Sequence, residues 1–211
     1  MTDKKAIAQK LLQINAIKLS VNPPFTWASG WKSPIYCDNR RILSYPFIRE
    51  TVKSELCNIV FTEFPETEMI AGVATAGIPW GAMVADQLKL PYIYVRPEPK
   101  KHGMGNQIEG FAEAGKRVVV MEDLVSTGKS SMKVIQALKN DGLLVEGLVS
   151  IFNYGFLVAE NMFKNENIPV ISLTDYDSLV AEAIAHNYIS ADNQNALLNW
   201  RSDPENWTGN I

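Results

Sequence analysis

Short apolar runs alternate with amphipathic segments from Met69 onward. The first run, 69–75, has the length of a buried strand, and 77–88, which follows it, has the length and spacing of a helix. The alternation then continues: strands are predicted at 91–96, 117–121, 143–152 and 169–173, and helices at 132–140, 156–163 and in two stretches after 173. Strands that alternate with helices predict a parallel sheet with right-handed crossovers, so the expected fold class is α/β.

The first sixty or so residues do not follow this alternation. Apolar residues recur there three or four positions apart and predict an amphipathic helix that runs to the Val-Asn-Pro-Pro of 21–24; they are Ile7, Leu11, Ile14 and Ile17. The next stretch has no clean period and predicts a hairpin or an irregular cover. A second helix is predicted from Ser44 and Pro46, with a buried stripe at Ile48, Val52, Leu56 and Ile59. We expect this region to form a hood over the ligand edge of the sheet.

Composition excludes several classes of protein. The 211 residues suffice for one substantial domain, 1–211, with a hood at about 1–65, a parallel-sheet core at about 66–175 and C-terminal helices at about 176–211. A net charge of −3 gives no general attraction to nucleic acid or anionic membranes. Cys37 and Cys57 lack metal-ligand spacing, and no signal peptide or membrane span is recognisable. We expect a cytoplasmic protein with neither nucleic-acid nor membrane partners.

The most informative stretch is RVVVMEDLVSTGKSS, residues 117–131. Its apolar run predicts a strand buried on both faces, which we expect to end at the carboxylates of Glu122 and Asp123. The small hydroxyl-bearing loop 126–131 then opens a helix, whose N-terminal backbone N–H groups are suited to a phosphate. Like charges repel, so the acids must contact something else, either sugar hydroxyls or a metal ion. A phosphorylated sugar satisfies both parts; the alternative is a plain βα turn in which the acids cap the helix.

Two common nucleotide-binding motifs are not matched. A Walker A loop needs GxxxxGK[ST], and Asp123 stands where its first glycine is required. Gly103 and Gly105 begin a GxGxxG, but Ile108 occupies the third glycine position. The sequence therefore predicts neither an ordinary nucleoside triphosphatase nor a dinucleotide dehydrogenase.

The stretch 117–131 resembles the phosphoribosyl pyrophosphate (PRPP) loop of the type I phosphoribosyltransferases: an apolar strand, two acids, an apolar pair and a Thr/Ser-Gly-rich loop. The resemblance implies that the acids hold the ribose hydroxyls and the loop holds the 5′-phosphate. Ser126 would also lie near the base, and the charge of Asp123 would stabilise the cation that develops on the ribose. Mg²⁺ would enter with PRPP and bind no protein ligand directly. The implied PRPP-binding residues are Glu122, Asp123, Leu124, Val125, Ser126, Thr127, Gly128, Lys129 and Ser130.

The polar stretch 96–110, RPEPKKHGMGNQIEG, has the composition of a lid loop or of a solvated charged hairpin. Its pattern R-x-x-x-K-x-H-G-x-G resembles the flexible catalytic loop of the orotate phosphoribosyltransferases. That resemblance implies that the loop reaches the pyrophosphate of PRPP in a neighbouring subunit, and hence a homodimer with shared active sites. Cations there stabilise the charge that the leaving pyrophosphate gains. The residues concerned are Arg96, Lys100, Lys101 and His102, with Lys100 and His102 catalytic together with Asp123.

Two further segments carry the resemblance. Residues 25–40, FTWASGWKSPIYCDNR, resemble the SGxxSPxYxDxR region that lines the pyrimidine site of the orotate enzymes. Candidates for contact with orotate are Ser29, Lys32 and Tyr36, although Tyr36 and Trp31 are also suited to the core of the hood. GVATAGIPWG resembles the loop that offers backbone groups to pyrophosphate, here Thr75–Gly77.

The chain also departs from the family pattern. Some members have lysine where this chain has Ala28, Ala76 and Pro97, so fewer lysines are available to neutralise the pyrophosphate. The arginine that contacts orotate near the C-terminus of those members is not evident; Asn153 and Tyr154 follow the strand instead.

Together these segments predict a type I phosphoribosyltransferase-like fold, an open, mainly parallel sheet flanked by helices with an N-terminal hood. The predicted reaction converts orotate and PRPP to orotidine 5′-monophosphate and pyrophosphate in pyrimidine (UMP) biosynthesis. One alternative is a phosphoribosyltransferase for another base, such as a purine or uracil. Another is a non-catalytic PRPP-sensing regulator, but a regulator of that kind needs a basic nucleic-acid-binding region that the sequence does not display.

Overall fold

A six-stranded sheet forms the centre of the computed structural model, which describes residues 3–27, 29–98 and 107–209. Its order is β10-β9-β8-β5-β6-β7, and neighbouring strands are parallel except for β7, which is antiparallel to β6. This arrangement confirms the predicted α/β class with a mainly parallel sheet. The strands are β1 (Ile17–Leu19), β2 (Phe25–Thr26), β3 (Lys32–Ser33), β4 (Ile35–Cys37), β5 (Met69–Val73), β6 (Tyr92–Val95), β7 (Ile108–Glu109), β8 (Arg117–Val125), β9 (Leu144–Asn153) and β10 (Val170–Asp175).

Helices cover both faces of this sheet. Alternate side chains of β8 point to opposite faces: Val119 and Met121 join one buried cluster, and Val118 and Val120 join the other. The first cluster is completed by α1, α2, α3, α6 and α7, the second by α4 and α5. The helices are α1 (Lys4–Gln13), α2 (Pro46–Glu63), α3 (Gly77–Leu88), α4 (Lys129–Asn140), α5 (Leu157–Asn165), α6 (Tyr176–Ala185) and α7 (Gln194–Ser202), with 3-10 helices at Asn39–Ser44 and Ala191–Asn193. Within the described ranges, no helix combines the length and apolar character that a membrane crossing requires.

The first helix is shorter than predicted. α1 ends at Gln13, and Asn15 then adopts a left-handed backbone conformation with φ of +54°. Ile17 belongs to β1 and pairs with Cys37 of β4. Ile14 and Ile17 are three positions apart, as in a helix, because both side chains are buried in the same core although only the earlier residues are helical. The prediction that the helix continues to 21–24 is wrong.

The predicted hood is also smaller than expected. The hairpin is confirmed, since Phe25 of β2 pairs with Ser33 of β3. However, α2 contributes Val52 and Leu56 to the same buried cluster as Val119 of β8, so it covers a face of the sheet. A cap formed by all of the first sixty residues is therefore wrong; the segment from β2 to the 3-10 helix at Asn39–Ser44 is the part that fits the name, and "hood" refers to it below.

The strand β8 is longer than predicted. It continues past both acids, because Leu124 and Val125 pair with Phe152 and Asn153 of β9. The following helix begins early, at Lys129. The acidic pair therefore lies within the end of the strand, and the phosphate-type turn between β8 and α4 is tight.

Candidate active site

The acidic pair lies where β8 loses one of its two neighbours. Pairing with β5 extends only to Gly72 and Met121, whereas pairing with β9 extends to Val125. From Glu122 onward, one edge of β8 therefore faces the carboxyl end of the sheet, where ligands bind in open α/β folds. The turn Thr75–Gly77 lies beside it, since a Cβ added to Gly77 would collide with the carbonyl oxygen of Met121.

Asp123 is fixed at this edge by side chains and not by a strand. Its backbone N–H donates to Glu122 Oε1 at 3.0 Å, and its carbonyl oxygen accepts from Asn39 Nδ2 at 2.7 Å. Its own side chain is partly exposed. Burial raises the pKa of Asp123, while a hydrogen bond with Glu122 and the charge of Arg40 lower it. Asp123 is thus a rigidly held carboxylate that remains accessible to a ligand.

Glu122 has a different environment. It is 5% exposed and accepts two hydrogen bonds. One comes from the Asp123 N–H and the other from Ser131 Oγ at 3.1 Å. Burial, together with the neighbouring charge of Asp123, raises the pKa of Glu122 well above its usual range. Both of its oxygens thus brace the turn between β8 and α4, although each oxygen retains capacity for a second hydrogen bond.

The turn after β8 has the features of a phosphate site. Gly128 has φ of +75°, and a Cβ there would lie 2.8 Å from the ring of Phe163, so glycine is required on both counts. α4 starts at the next residue, and the first backbone N–H groups of a helix lack intrahelical partners and favour an anion. Ser126 and Thr127 are half-buried in the turn, whereas Lys129 and Ser130 are exposed.

The hood reaches the acids through the segment that follows β4. Tyr36 is 42% exposed and packs against Phe25 with ring centroids 5.8 Å apart. Arg40 Nε binds Asp38 Oδ1 at 2.6 Å, and its charge acts on Asp123. The guanidinium group of Arg40 therefore lies near both the accessible carboxylate of Asp123 and the ring of Tyr36, which suits a flat anionic ligand beside a sugar.

The comparisons with known proteins agree with this geometry. Residues 51–155 match the family model of the phosphoribosyl transferase domain. The chain is 50% identical over 207 residues to the orotate phosphoribosyltransferase of Cytophaga hutchinsonii, covering 98% of this chain and 99% of the relative. It is 51% identical over 203 residues to that of Porphyromonas gingivalis, covering 96% and 97%.

The chain belongs to the orotate phosphoribosyltransferase family. Its fold is that of the type I phosphoribosyltransferases, as predicted. The crystal structure of orotate phosphoribosyltransferase from Aeropyrum pernix superposes with a TM-score of 0.75 at 30% identity, over 83% of this chain and 97% of that one.

In this orotate phosphoribosyltransferase family member, the predicted PRPP residues fall into two groups. The side chain of Leu124 packs against one core cluster and that of Val125 is buried in the other, so either can reach PRPP only through its backbone. The Val125 carbonyl is already an acceptor, from the N–H of Tyr154 at 3.0 Å. The remaining residues of the stretch surround the turn, and their PRPP contacts stay predictions.

The predicted hood residues are less closely grouped. Lys32 Nζ donates to Thr26 Oγ1 at 2.8 Å across the hairpin, and Ser29 Oγ accepts from the Trp31 N–H at 3.4 Å. Among the contacts of the described chain, it is the segment from Tyr36 to Arg40, not Lys32, that is linked to Asp123. The contacts of Lys32 and Tyr36 with orotate remain predictions.

The lid prediction falls largely outside the described residues, which exclude Lys100, Lys101 and His102. Arg96 is described at the base of that segment, where its backbone N–H donates to the carbonyl oxygen of Gln107. Its guanidinium Nη1 lies 3.4 Å from Glu109 Oε1. Arg96 is therefore held by β7 at the exit of β6, the strand that leads into the predicted lid.

Sequence reasoning missed three residues of this site. Arg40 is the arginine of the SGxxSPxYxDxR pattern, so a signal for it was present. Ser131 lies in the quoted PRPP stretch, but its bond to Glu122 depends on where α4 begins. Asn39 contacts Asp123 across 84 positions, and nothing in the local sequence indicates such a contact.

The donors available for a metal are few. Among residues 3–27, 29–98 and 107–209, no three His, Cys, Asp or Glu side chains converge as metal ligands. The accessible carboxylate of Asp123, with the partly exposed Asp38 near it, suits Mg²⁺ that takes its oxygen ligands from phosphate groups and water.

Proposed function

We propose that this chain transfers the phosphoribosyl group of PRPP to orotate, giving orotidine 5′-monophosphate and pyrophosphate in pyrimidine biosynthesis, and that residues 1–211 act as one phosphoribosyltransferase domain. The observation that supports this most strongly is the accessible carboxylate of Asp123 beside the anion-binding turn at the open edge of β8. The full-length similarity to orotate phosphoribosyltransferases supports the choice of orotate as the base.

The ribose 5-phosphate part of PRPP is held by β8 and its turn. Backbone N–H groups at the start of α4, with Ser126, Thr127 and Ser130, bind the 5′-phosphate. Asp123 accepts hydrogen bonds from the ribose hydroxyls. Glu122 holds the Asp123 backbone in place and has spare acceptor capacity for the same hydroxyls.

The reaction replaces one bond at C1 of the ribose with another. The C1–O bond breaks and its electron pair leaves with pyrophosphate, while the orotate ring nitrogen forms the new bond from the opposite face. The proton of that nitrogen passes to the departing pyrophosphate or to water. The charge of Asp123 stabilises the cation-like ribose in between, because the group is fixed in advance and needs no reorganisation. Arg96, Lys100, Lys101 and His102 neutralise the leaving pyrophosphate, and Thr75–Gly77 offers it backbone groups.

Mg²⁺ would enter with PRPP and would neutralise part of the diphosphate charge. PRPP oxygens and water would supply its ligands, and no protein side chain would bind it directly. We further propose a cytoplasmic homodimer in which the lid segment completes the neighbouring site.

A base-panel assay tests the function directly. The protein is incubated with PRPP and Mg²⁺, and the loss of orotate absorbance is followed beside parallel reactions with uracil, hypoxanthine and adenine. We expect orotate to be consumed and pyrophosphate to be released, with the other bases unchanged. Preferred use of another base would favour a different phosphoribosyltransferase. PRPP binding without use of any base would favour a sensor.

A further inference from the structure

The backbone of Asp123 lies at an edge of β8 where no strand supplies hydrogen bonds. The pairing of β5 with β8 has already ended there, since their last pair is Gly72 with Met121. A strand end of this kind needs other partners if a side chain on it is to hold one position. Glu122 supplies the acceptor for the Asp123 N–H, and Asn39 supplies the donor for its carbonyl.

Asn39 is built into the interior to make this contact. It is fully buried at the start of the 3-10 helix that follows β4, and its Nδ2 lies 2.7 Å from the Asp123 oxygen. Its Oδ1 is also buried and has no hydrogen-bond partner among the described residues. An unpaired buried acceptor lowers the stability of the fold. The hydrogen bond from Nδ2 to Asp123 is therefore the contact that explains an amide at this position.

The same segment carries Tyr36, which is expected to contact orotate, and Arg40, whose charge acts on Asp123. Tyr36 comes shortly before Asn39 and Arg40 directly after it. A single amide therefore joins the base-facing side of the site to the carboxylate on the ribose side.

We propose that Asn39 is a positioning residue that fixes the backbone of Asp123 and so sets the spacing between the ribose-binding acid and the hood. The proposal rests on the proposed function, because it assigns the contact a role in PRPP binding. Without the bond, the Asp123 backbone gains freedom at the open edge of β8, and part of the PRPP binding energy is spent on ordering it.

The competing explanation is that the bond merely stabilises the fold. Thr174 provides a matched control: it is fully buried, and its Oγ1 donates to the carbonyl oxygen of Lys4 at the same 2.7 Å, linking segments 170 positions apart. That contact joins β10 to α1, and β9 separates β10 from the strand that carries the acidic pair. A purely structural role predicts that losing either bond has the same consequences.

The test compares Asn39→Leu, which keeps the branched shape but cannot donate, with Thr174→Val. PRPP affinity is measured by calorimetry in the presence of Mg²⁺, and thermal unfolding is recorded for each protein. We expect Asn39→Leu to weaken PRPP binding about tenfold, the equivalent of one well-placed hydrogen bond, and Thr174→Val to change it less than about twofold. Both variants should lower the unfolding temperature.

A second variant covers the case in which Asn39→Leu does not fold. Asn39→Ser is a milder change whose short hydroxyl does not reach the Asp123 carbonyl, and it should weaken PRPP binding in the same direction. Unchanged PRPP affinity in a folded Asn39 variant would overturn the proposal, as would an equal loss in Thr174→Val. The readout here is PRPP binding, whereas the base-panel assay measures which base is used. The role of Asn39 can therefore be refuted while orotate is still consumed. Use of another base in the panel would not change the conclusion about Asn39.

Discussion

Two adjacent carboxylates in this site are given different environments by the side chains around them. Glu122 is buried between the Asp123 N–H and Ser131, while Asp123 is more exposed and is near Arg40. Burial raises the pKa of both acids. The negative charge of Asp123 raises the pKa of Glu122 further. The pair therefore places its negative charge on Asp123, next to the expected position of the ribose, and favours a neutral Glu122.

This asymmetry gives a pH prediction for Glu122→Gln. A raised pKa in the folded state means that stability is greatest with Glu122 protonated and falls as pH rises above its ordinary value of 4.5. The loss is at most about 1.4 kcal/mol per pH unit up to the raised pKa. Glutamine does not ionise, so Glu122→Gln does not lose this stability. As pH increases, its unfolding temperature should rise relative to that of the unmodified protein.

Glu68 serves as the control, because its pKa is shifted the other way. The N–H of Arg117 and the ammonium group of Lys116 lower the pKa of Glu68, so its contribution is present at neutral pH and is lost as pH falls. The substitution Glu68→Gln should therefore destabilise the protein, relative to the unmodified protein, less in acid than at neutral pH. A difference in stability between Glu122→Gln and the unmodified protein that did not vary with pH would contradict a raised pKa for Glu122.

At the scale of elements, α7 braces the hairpin that carries Lys32. Trp200 of α7 is fully buried, and its Nε1 donates to the carbonyl oxygen of Lys32 at 3.1 Å. Its ring contacts Trp27 and Tyr154, with centroids 5.6 and 5.7 Å apart. The C-terminal helix thus acts on the hood, although it lies far from the hood in sequence.

Trp200→Phe should therefore weaken orotate binding more than PRPP binding. The change keeps an aromatic ring but removes the donor to Lys32, and we expect the KM for orotate to rise about threefold to tenfold. Trp80→Phe is the matched control, since Trp80 is fully buried in α3 and its Nε1 has no partner among the described residues. It should reduce stability with little effect on the KM for orotate. Equal effects of the two changes on that KM would contradict a bracing role for α7.

The elements also show how far sequence alone reaches. α2 and α3 were predictable because their apolar stripes have a clear period, and β8 because its valines are buried on both faces. The end of α1 was missed because Ile17 continues the helical spacing while lying in a strand. The extension of β8 depends on its pairing with β9, and the Asn39 contact depends on how distant segments pack, which a local pattern does not encode.

At the scale of the whole molecule, the proposed homodimer predicts complementation. Lys100→Ala should remove a catalytic cation of the lid, and Asp123→Asn should remove the ribose acid. Each variant alone should be almost inactive. Mixed dimers should regain part of the activity, because one of their two sites combines an intact lid with an intact acid. Verified mixed dimers without any recovered activity would show that each chain completes its own site.

The central claim is that Asp123 and the turn before α4 together bind PRPP. Calorimetric titration of PRPP with Mg²⁺ into Asp123→Asn and the unmodified protein tests it most directly. Asp86→Asn is the control, because Asp86 is exposed on α3 and pairs with Lys89, which follows that helix. We predict a loss of affinity of about tenfold or more for Asp123→Asn, the effect of removing a charged hydrogen-bond acceptor, and none for Asp86→Asn. PRPP affinity equal to that of the unmodified protein in Asp123→Asn would contradict the account.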